Sequence, residues 1–476
     1  MLTSEEFRKR LFKMRRNVYL DGERIGRDDA RLERQTNVYS LTYDLATDPE
    51  MLGLATATSS LSGQTINRFC HIHQSVEDLL CKQRMTRLGC HRAGGCIERC
   101  MGIDALNAIS VVSYDADRAR GTEYNRRFTS WMRDYEEKDY TACMAQTDVK
   151  GNRPWRPHQQ ADPDLYLRVV EEKSDGIVIR GAKAHNTMAP LSDWLMVMPT
   201  RRLVEGEGEW AVACAVPADA DGVKLIAHVS APPPRQKLTA PFSNFGHVDC
   251  LTVFDNVLVP WEHVFLYGET DLAGELASLA ALFHRHSYTG CKPSMTDIII
   301  GATALIAEYN GIEQASHVRE KLADMISVAE LCYGTGVAAA VNAKKSASGT
   351  YVPDPVYCNV SRRHAGLNIY HEFDTLCDIA GGLPATLPSE ADWYNEEIRP
   401  YLEKYIMRKP GISAEDQHRA FRFVADLSAS AYTAWLQYAG VHGGGSPRME
   451  ELAILGAYDI EARKNVAKRL AGIRPA

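Results

Sequence analysis

Apolar residues along this 476-residue chain change their spacing twice, and that change restricts the fold more than any single motif. From Ser4 to about Tyr140 they recur every three or four positions, as over residues 52–61, 75–88 and 96–114, which predicts amphipathic helices. The pattern breaks at Gly151-Asn152-Arg153-Pro154, and Pro157 and Pro163 prolong the loop. Strand-like runs follow at 165–170, 177–179, 194–198, 210–216, 223–229 and 251–259. Beyond Thr270 the helical spacing returns, at 272–283, 296–310, 315–343, 414–438 and 450–470. The expected fold class is α+β, with an N-terminal helical domain over 1–140, a middle β domain over 141–270 and a C-terminal helical bundle over 271–476.

The net charge of −7 is spread without a basic face, which argues against a nucleic-acid partner. No apolar run reaches the roughly 18–20 residues of a membrane helix, so no membrane partner is expected. Residues 1–16 carry Lys9, Arg10, Lys13, Arg15 and Arg16, too much charge for a secretory leader, and the expected location is cytoplasmic. Twelve scattered cysteines do not form a disulfide framework. Cys143, Cys214, Cys250, Cys332 and Cys377 read as small core residues, while Cys70, Cys81, Cys90 and Cys358 stay undecided.

The remaining thiols fall in two short segments. Cys96-Ile97-Glu98-Arg99-Cys100 is a Cys-x3-Cys pair, and on a helix both thiols would share one face. Roughly 180 residues later comes His284-Arg285-His286-Ser287-Tyr288-Thr289-Gly290-Cys291-Lys292. His284 and Cys291 are two helical turns apart, about 10 Å along the axis. They would reach one centre only if their side chains lean together or the helix unwinds at Gly290. Three thiols and an imidazole suit an iron–sulfur cube or a structural zinc ion, and packed helix-face residues are the plain alternative. No Gly-x-Gly-x-x-Gly opens a helix after a strand, so a Rossmann nucleotide site is not expected. Gly443-Gly444-Gly445-Ser446-Pro447 reads as a helix stop at least as well as a phosphate loop. The polar stretch 146–153 and His185-Asn186-Thr187 offer donors near the domain junction.

Taken together with Gly63-Gln64-Thr65-Ile66-Asn67-Arg68-Phe69, Arg180-Gly181-Ala182-Lys183-Ala184-His185, Phe254-Asp255-Asn256-Val257 and Pro388-Ser389-Glu390-Ala391-Asp392, these segments resemble a known family. It is the 4-hydroxyphenylacetate 3-hydroxylase flavoprotein family, in its 4-hydroxybutyryl-CoA dehydratase branch. The resemblance implies an acyl-CoA-dehydrogenase-like fold, FAD, a [4Fe–4S] cluster, an acyl-CoA substrate and a homotetramer. It makes Cys96, Cys100, His284 and Cys291 the cluster ligands. Thr147, Asp148, Asn152, Arg153, His185, Thr187, Lys292, His442 and Gly443 fall on the cofactor side. His284, Tyr288, Lys292, Glu98 and Asp249 are the expected catalytic residues.

The implied chemistry explains two cofactors. Dehydrating a 4-hydroxyacyl thioester removes an unactivated β-proton, beyond the reach of an ordinary base near neutral pH. The family's route removes an α-proton first and then one electron, which acidifies the β-position. Three positions depart from the pattern: a glutamate is replaced by Ala439, another is shortened to Asp249, and a glutamine between the paired cysteines becomes Glu98. The expectation is that Glu98 supplies the carboxylate missing at Ala439, with another CoA thioester as alternative substrate. The other alternative is flavin-dependent hydroxylation of a phenol.

Overall fold

The computed structural model describes residues 1–473. Its centre is a pair of sheets. The six-stranded sheet runs Glu23–Ile25, Val18–Leu20, Val223–Ser230, His247–Pro260, Gly176–Lys183, Arg168–Glu172. The four-stranded sheet runs Val264–Tyr267, Val212–Pro217, Trp194–Val197, Ala142–Ala145. Side chains alternate across each strand. Cys143, Leu195, Cys214 and Val216 therefore meet Ile177, Ile179, Leu225 and Phe254 between the sheets. Met196, Ala213 and Ala215 point the other way, onto the helices. His247–Pro260 is long because a bulge at Asn256, in the left-handed region at φ 55°, re-registers it against Gly176–Lys183.

Helices Cys100–Arg120 and Tyr124–Glu137 pack on that outer face, with Ile103, Leu106, Phe128 and Trp131 in the shared core, while Val76–Ala93 packs on the long C-terminal helix described next. The C-terminal part is built on Thr270–Tyr309, a single helix of 40 residues flanked by Ser316–Val341 and Pro355–Ala380. Pro293 lies inside the long helix and cannot donate to the carbonyl of Thr289. Gln83 Nε2 takes that carbonyl instead, at 3.3 Å. Gly290 does not unwind the helix. A Cβ there would come within 2.5 Å of the Gln83 carbonyl oxygen, so the glycine lets Val76–Ala93 approach. This contact holds the cysteine-bearing loop and the His284–Lys292 turns in one frame.

Several sequence expectations are corrected. Residues 18–25 are strands of the central sheet, not helix, and residues 52–61 form only a short turn, Leu52–Ala55, before the hairpin strand Thr56–Thr58. The segments 272–283 and 296–310 are one helix, whereas 414–438 divides into Ala414–Ser428 and Ala431–His442, where Ser430 caps a new start. Pro355–Ala380 went unread, although Asp354 followed by Pro355 is a helix-start signal, and the Asp354 side chain accepts from the Val356 and Tyr357 N–H groups. Cys377 is exposed rather than a core thiol. By length and hydropathy alone Ser316–Val341 is apolar enough to cross a membrane, against expectation, but it packs between the Thr270–Tyr309 and Pro355–Ala380 helices.

Candidate active site

Helix Val76–Ala93 stops at Gly94, which is left-handed at φ 66°, and the N–H groups of Gly94 and Gly95 both return to the Cys90 carbonyl. The next residues fold back over the helix end, with Ile97 against Gly89, where a Cβ would lie 3.2 Å from Ile97 Cδ1. Glu98 takes φ 56° before the chain enters helix Cys100–Arg120. Cys96 and Cys100 thus do not share one helix, which corrects the spacing argument: Cys96 is on the loop and Cys100 opens the helix. Arg99 pins the turn. It is buried, pairs with Asp139 Oδ1 at 2.5 Å and lies over the Tyr43 ring at 4.1 Å from its centroid.

This fold brings thiols together. Cys90, Cys100 and Cys291 lie in one buried cluster, and Cys96 packs against it. These contacts, then burial, hold Cys96 well above the ordinary thiol range. Contact with Cys96 lowers Cys100, but burial and neighbouring negative charge outweigh it and leave Cys100 at about 11. Among the described residues, no three His, Cys, Asp or Glu side chains surround a point fit for a single metal ion. His284 lies further along. Its Nδ1 is 3.3 Å from Asp104 Oδ2, and Asp104 also takes Lys82 Nζ at 3.0 Å and Ser287 Oγ at 2.9 Å. Asp104 is fully buried, and the charge of Lys82 and the bond from His284 offset the burial penalty, keeping its carboxyl below the usual range.

Tyr288 and Lys292 face the C-terminal helices. The Tyr288 hydroxyl donates to the Gly440 carbonyl at 3.2 Å, beside Ala439, and the Arg362 guanidinium covers its ring at 4.4 Å. Burial raises the Tyr288 phenol far above its usual range. Lys292 pairs with buried Glu372, and its Nζ donates to Thr296 Oγ1 at 2.9 Å. The Gly443–Gly445 turn ends helix Ala431–His442 and is held by Arg362 Nε on the Gly443 carbonyl and Arg285 Nε on that of Gly444. A Cβ on Gly444 would lie 3.2 Å from His284 Cδ2, so the turn closes over the imidazole.

Between loop and sheet lies a stack the sequence did not reveal. The His247 ring lies parallel to Trp435, centroids 3.8 Å apart, and to Tyr432 at 5.3 Å. His247 Nε2 is 3.2 Å from the Tyr432 hydroxyl, and Nδ1 is 3.6 Å from Glu98 Oε1. Burial drives His247 down to about 3, so the ring is neutral at pH 7. Burial raises Glu98 to about 8, against the contact with Cys96 and with help from the charge of Asp249. The Glu98–His247 contact is therefore between neutral groups. Asp249 accepts from Thr187 Oγ1 at 2.6 Å and Trp435 Nε1 at 2.5 Å. Glu98 and Asp249 thus share one buried neighbourhood.

Further out, Asp148 bridges to Lys183 and sets residues 147–148 beside 183–185. Its carboxylate takes Leu167 N, Thr200 Oγ1 and Lys183 Nζ, so it braces the backbone rather than facing outward. Lys150 and Gly151 are left-handed, and Gln160 holds Asn152 by both backbone groups. Above that scaffold Asn152, Arg153 and His185 are exposed.

Residues 3–266 match the N-terminal and residues 273–472 the C-terminal region of 4-hydroxyphenylacetate 3-hydroxylase. The 4-hydroxybutyryl-CoA dehydratase/vinylacetyl-CoA-Δ-isomerase of Clostridium aminobutyricum is 37% identical over 100% of both chains. The chain belongs to the 4-hydroxyphenylacetate 3-hydroxylase family. Its similarity to the dehydratase places it on that branch, among carbon–oxygen lyases. An oxygen-tolerant archaeal 4-hydroxybutyryl-CoA dehydratase from N. maritimus superposes with a TM-score of 0.95 and 34% identity, covering 100% of this chain and 95% of that one. The oxygenase component of Thermus thermophilus 4-hydroxyphenylacetate 3-monooxygenase is 30% identical over 82% of this chain and 80% of its own. An oxygenase component of such a monooxygenase complexed with FAD gives a TM-score of 0.87 at 25% identity, covering 99% of this chain and 98% of that one. The helix–sheet–helix design is the acyl-CoA-dehydrogenase-like fold of this family.

Against the cofactors that the resemblance implies, the residues fit unevenly. Cys96, Cys100 and Cys291 pack around one cluster, and His284 has its Nδ1 anchored on a carboxylate, the usual arrangement for an imidazole whose other nitrogen binds metal. The exposed donors of Asn152, Arg153 and His185 above a braced loop suit an anionic cofactor, whereas Asp148 is already fully engaged. His442 is exposed, and Lys292 is committed to Glu372. Sequence reasoning missed Asp104, Glu372, Cys90 and the Tyr432–His247–Trp435 stack. Asp104 carried a signal, standing one helical turn after Cys100.

Proposed function

We propose that this protein is an FAD- and [4Fe–4S]-dependent dehydratase of a 4-hydroxyacyl-CoA. The default substrate is 4-hydroxybutyryl-CoA, giving crotonyl-CoA, with vinylacetyl-CoA isomerisation as companion activity. One observation carries the reading: thiols from distant segments pack in one cluster, and Asp104, one turn after Cys100, holds the His284 imidazole, in a chain similar to the dehydratase over its whole length. Cys96, Cys100, Cys291 and His284 would hold the cluster. Thr147, Asn152, Arg153, His185 and Thr187 would hold the flavin, with Asp148 bracing their loop. When bound, the flavin would supply one-electron chemistry and the cluster a Lewis-acidic iron.

The protein's own groups do the rest. Asp104 fixes the His284 tautomer with the proton on Nδ1, leaving Nε2 as the nitrogen that binds metal or takes a proton. Tyr288, locked between Arg362 and the Gly440 carbonyl, relays a proton beside position 439. Glu98 stands in for the carboxylate missing at Ala439: it is buried, next to Cys96 and close to Asp249. Lys292 places positive charge against Glu372, away from bulk water. Exposed apolar side chains on the C-terminal helices, among them Leu331, Leu367, Tyr438 and Leu455, support a homotetramer. Unpaired cysteines throughout are in keeping with a reducing cytoplasm.

The test is anaerobic purification followed by iron and sulfide counts, a visible spectrum and assay against 4-hydroxyacyl- and 3-enoyl-CoA thioesters. A brown protein that forms crotonyl-CoA is the expected result. A yellow, iron-free protein that hydroxylates a phenol with reduced flavin and oxygen would replace this reading with the monooxygenase one, which the 30% identical Thermus relative favours.

A further inference from the structure

We propose that Lys150, Trp155, Arg201 and Arg202 form the subsite for the phosphorylated adenosine end of the acyl-CoA. This rests on the acyl-CoA reading above and concerns residues that reading leaves unused. Strands Ala142–Ala145 and Trp194–Val197 are parallel and paired along their length, Ala145 against Val197, so the loops that follow them leave the sheet side by side. The Met198 N–H on the Ala145 carbonyl at 3.2 Å and Thr200 Oγ1 on the Gln146 carbonyl at 2.7 Å keep them together. Further out, Arg201 Nη1 donates to the Trp155 carbonyl at 3.5 Å, and Arg156 Nη2 to the Arg202 carbonyl at 3.2 Å. Trp155 is 45% exposed, yet its backbone is fixed: its N–H donates to the Asn152 carbonyl at 3.0 Å, and its carbonyl also takes Gln160 Nε2 at 3.1 Å. A large flat ring is thus held out into solvent by a tethered loop.

The charge around that ring is one-sided. Among the described residues Lys150, Arg153, Arg201 and Arg202 form no ion pair, because the acids of the same two loops are mostly taken: Asp148 by Lys183, Asp164 and Glu209 by Arg168, Glu207 by Arg156 and His158. That leaves exposed Glu205 and Asp162, and Asp162 already accepts the Asp164 N–H. Burial and then the like charge of Arg153 push the Lys150 ammonium below its usual range. An anion seated here relieves that repulsion. Unpaired guanidinia suit phosphate oxygens, and an exposed indole suits the face of a purine. Coenzyme A joins both features, carrying a pyrophosphate and a 3′-phosphate on adenosine. The flavin offers only a diphosphate, and Arg153 with Asn152 and His185 already serves it in the reading above. A chain of contacts leads from this rim to the thiol loop. Thr187 Oγ1 donates to Asp249 at 2.6 Å and Trp435 Nε1 donates to it at 2.5 Å, while Trp435 stacks on His247 at 3.8 Å and His247 lies 3.6 Å from Glu98. The pantetheine arm is the part of the substrate that would cover this interval.

Flavin-loaded holoenzyme tests this by titration with crotonyl-CoA, its 3′-dephospho analogue and crotonyl-pantetheine, following affinity rather than turnover. In the wild type crotonyl-CoA is expected to bind at least about tenfold tighter than crotonyl-pantetheine, with the dephospho analogue in between and an advantage that shrinks as salt rises. Arg201→Gln combined with Arg202→Gln is expected to weaken crotonyl-CoA about tenfold, and Trp155→Ala by a similar factor, while the affinities for crotonyl-pantetheine and FAD hold. Arg202 is exposed and only its carbonyl is tied, so Arg202→Glu alone decides the matter if the double variant fails to fold, by the same selective loss. The proposal is overturned if the variants weaken both thioesters equally, or neither. It is also overturned if FAD affinity falls in place of CoA affinity, which would give the patch to the flavin. Wild type that binds the CoA and pantetheine thioesters alike overturns the subsite and leaves the dehydratase reading standing. Wild type that binds neither removes the acyl-CoA reading and the subsite with it.

Discussion

The thiol pocket and the rim at residues 147–187 are built in opposite ways. In the pocket the functional groups are themselves the packing: Cys90, Cys100, Cys291 and Tyr288 belong to one buried cluster with half-buried Cys96 against it, and Asp104, Lys82 and Arg99 are fully enclosed. On the rim the buried groups, Asp148, Lys183 and Gln160, only brace backbone, and the side chains offered to a ligand are exposed. Function and stability are therefore coupled in the first region and separable in the second.

Asp104 should reveal that coupling most strongly. Asp104→Ala strands Lys82 in the core without its counter-charge, and losing one partner of a buried pair costs about 3–5 kcal/mol. Urea unfolding should show that loss, and iron uptake should fall because His284 loses its anchor. A variant of normal stability would mean that water reaches Lys82 and the pocket is not dry. Gly95→Ala comes next. Its Cβ would fall 1.6 Å from the Tyr432 hydroxyl, so loop or stack must shift, at about 1–3 kcal/mol. Iron loading should drop with thermal stability, and intact loading would show that the stack and the loop move independently. Arg153→Ala is the contrast. Stability should stay within about 0.5 kcal/mol, as for exposed positions generally. FAD affinity should fall about tenfold, or about 1.4 kcal/mol. Unchanged flavin binding would remove Arg153 from the cofactor site.

The same contrast explains what could be read from the chain. The Cys-x3-Cys pair and His284–Lys292 named the right neighbourhood because ligand types cluster locally in sequence. Their backbone was misread, since Gly94 and Gly95 look like ordinary helix interruptions until Tyr432, over 300 residues away, presses on the second. Helix Pro355–Ala380 escaped because its buried stripe carries polar Asn359, Arg362 and Glu372 while apolar Val360, Leu367 and Tyr370 are exposed on the other side, so apolar spacing and burial do not coincide. The Tyr432–His247–Trp435 stack joins a strand to a helix some 185 residues on and leaves no periodic trace. Rim donors were legible as a polar stretch, but nothing local distinguished Asp148, which braces, from Arg153, which is exposed.

The smallest expected effect sharpens the rim side. Glu207 is enclosed beneath the 151–160 loop, where Arg156 reaches it at 2.5 Å, His158 at 2.7 Å and the Val204 N–H at 3.0 Å. Burial raises its carboxyl, but Arg156, His158 and the backbone bond outweigh it, and the folded-state value lies below the ordinary one. A depressed carboxylate adds stability that is fully present above its unfolded pKa, about 4.3, and is lost as pH falls through the folded value. Denaturant unfolding from pH 6 downward should therefore show the wild type ahead of Glu207→Gln at the upper end, with the difference shrinking below about pH 4.3. Because Arg156 tethers the loop bearing Asn152 and Arg153, flavin affinity should weaken over the same interval in the wild type and be weak throughout in Glu207→Gln. A stability difference that grows on acidification would mean that Glu207 is protonated in the folded state and that the loop is held by Gln160 alone.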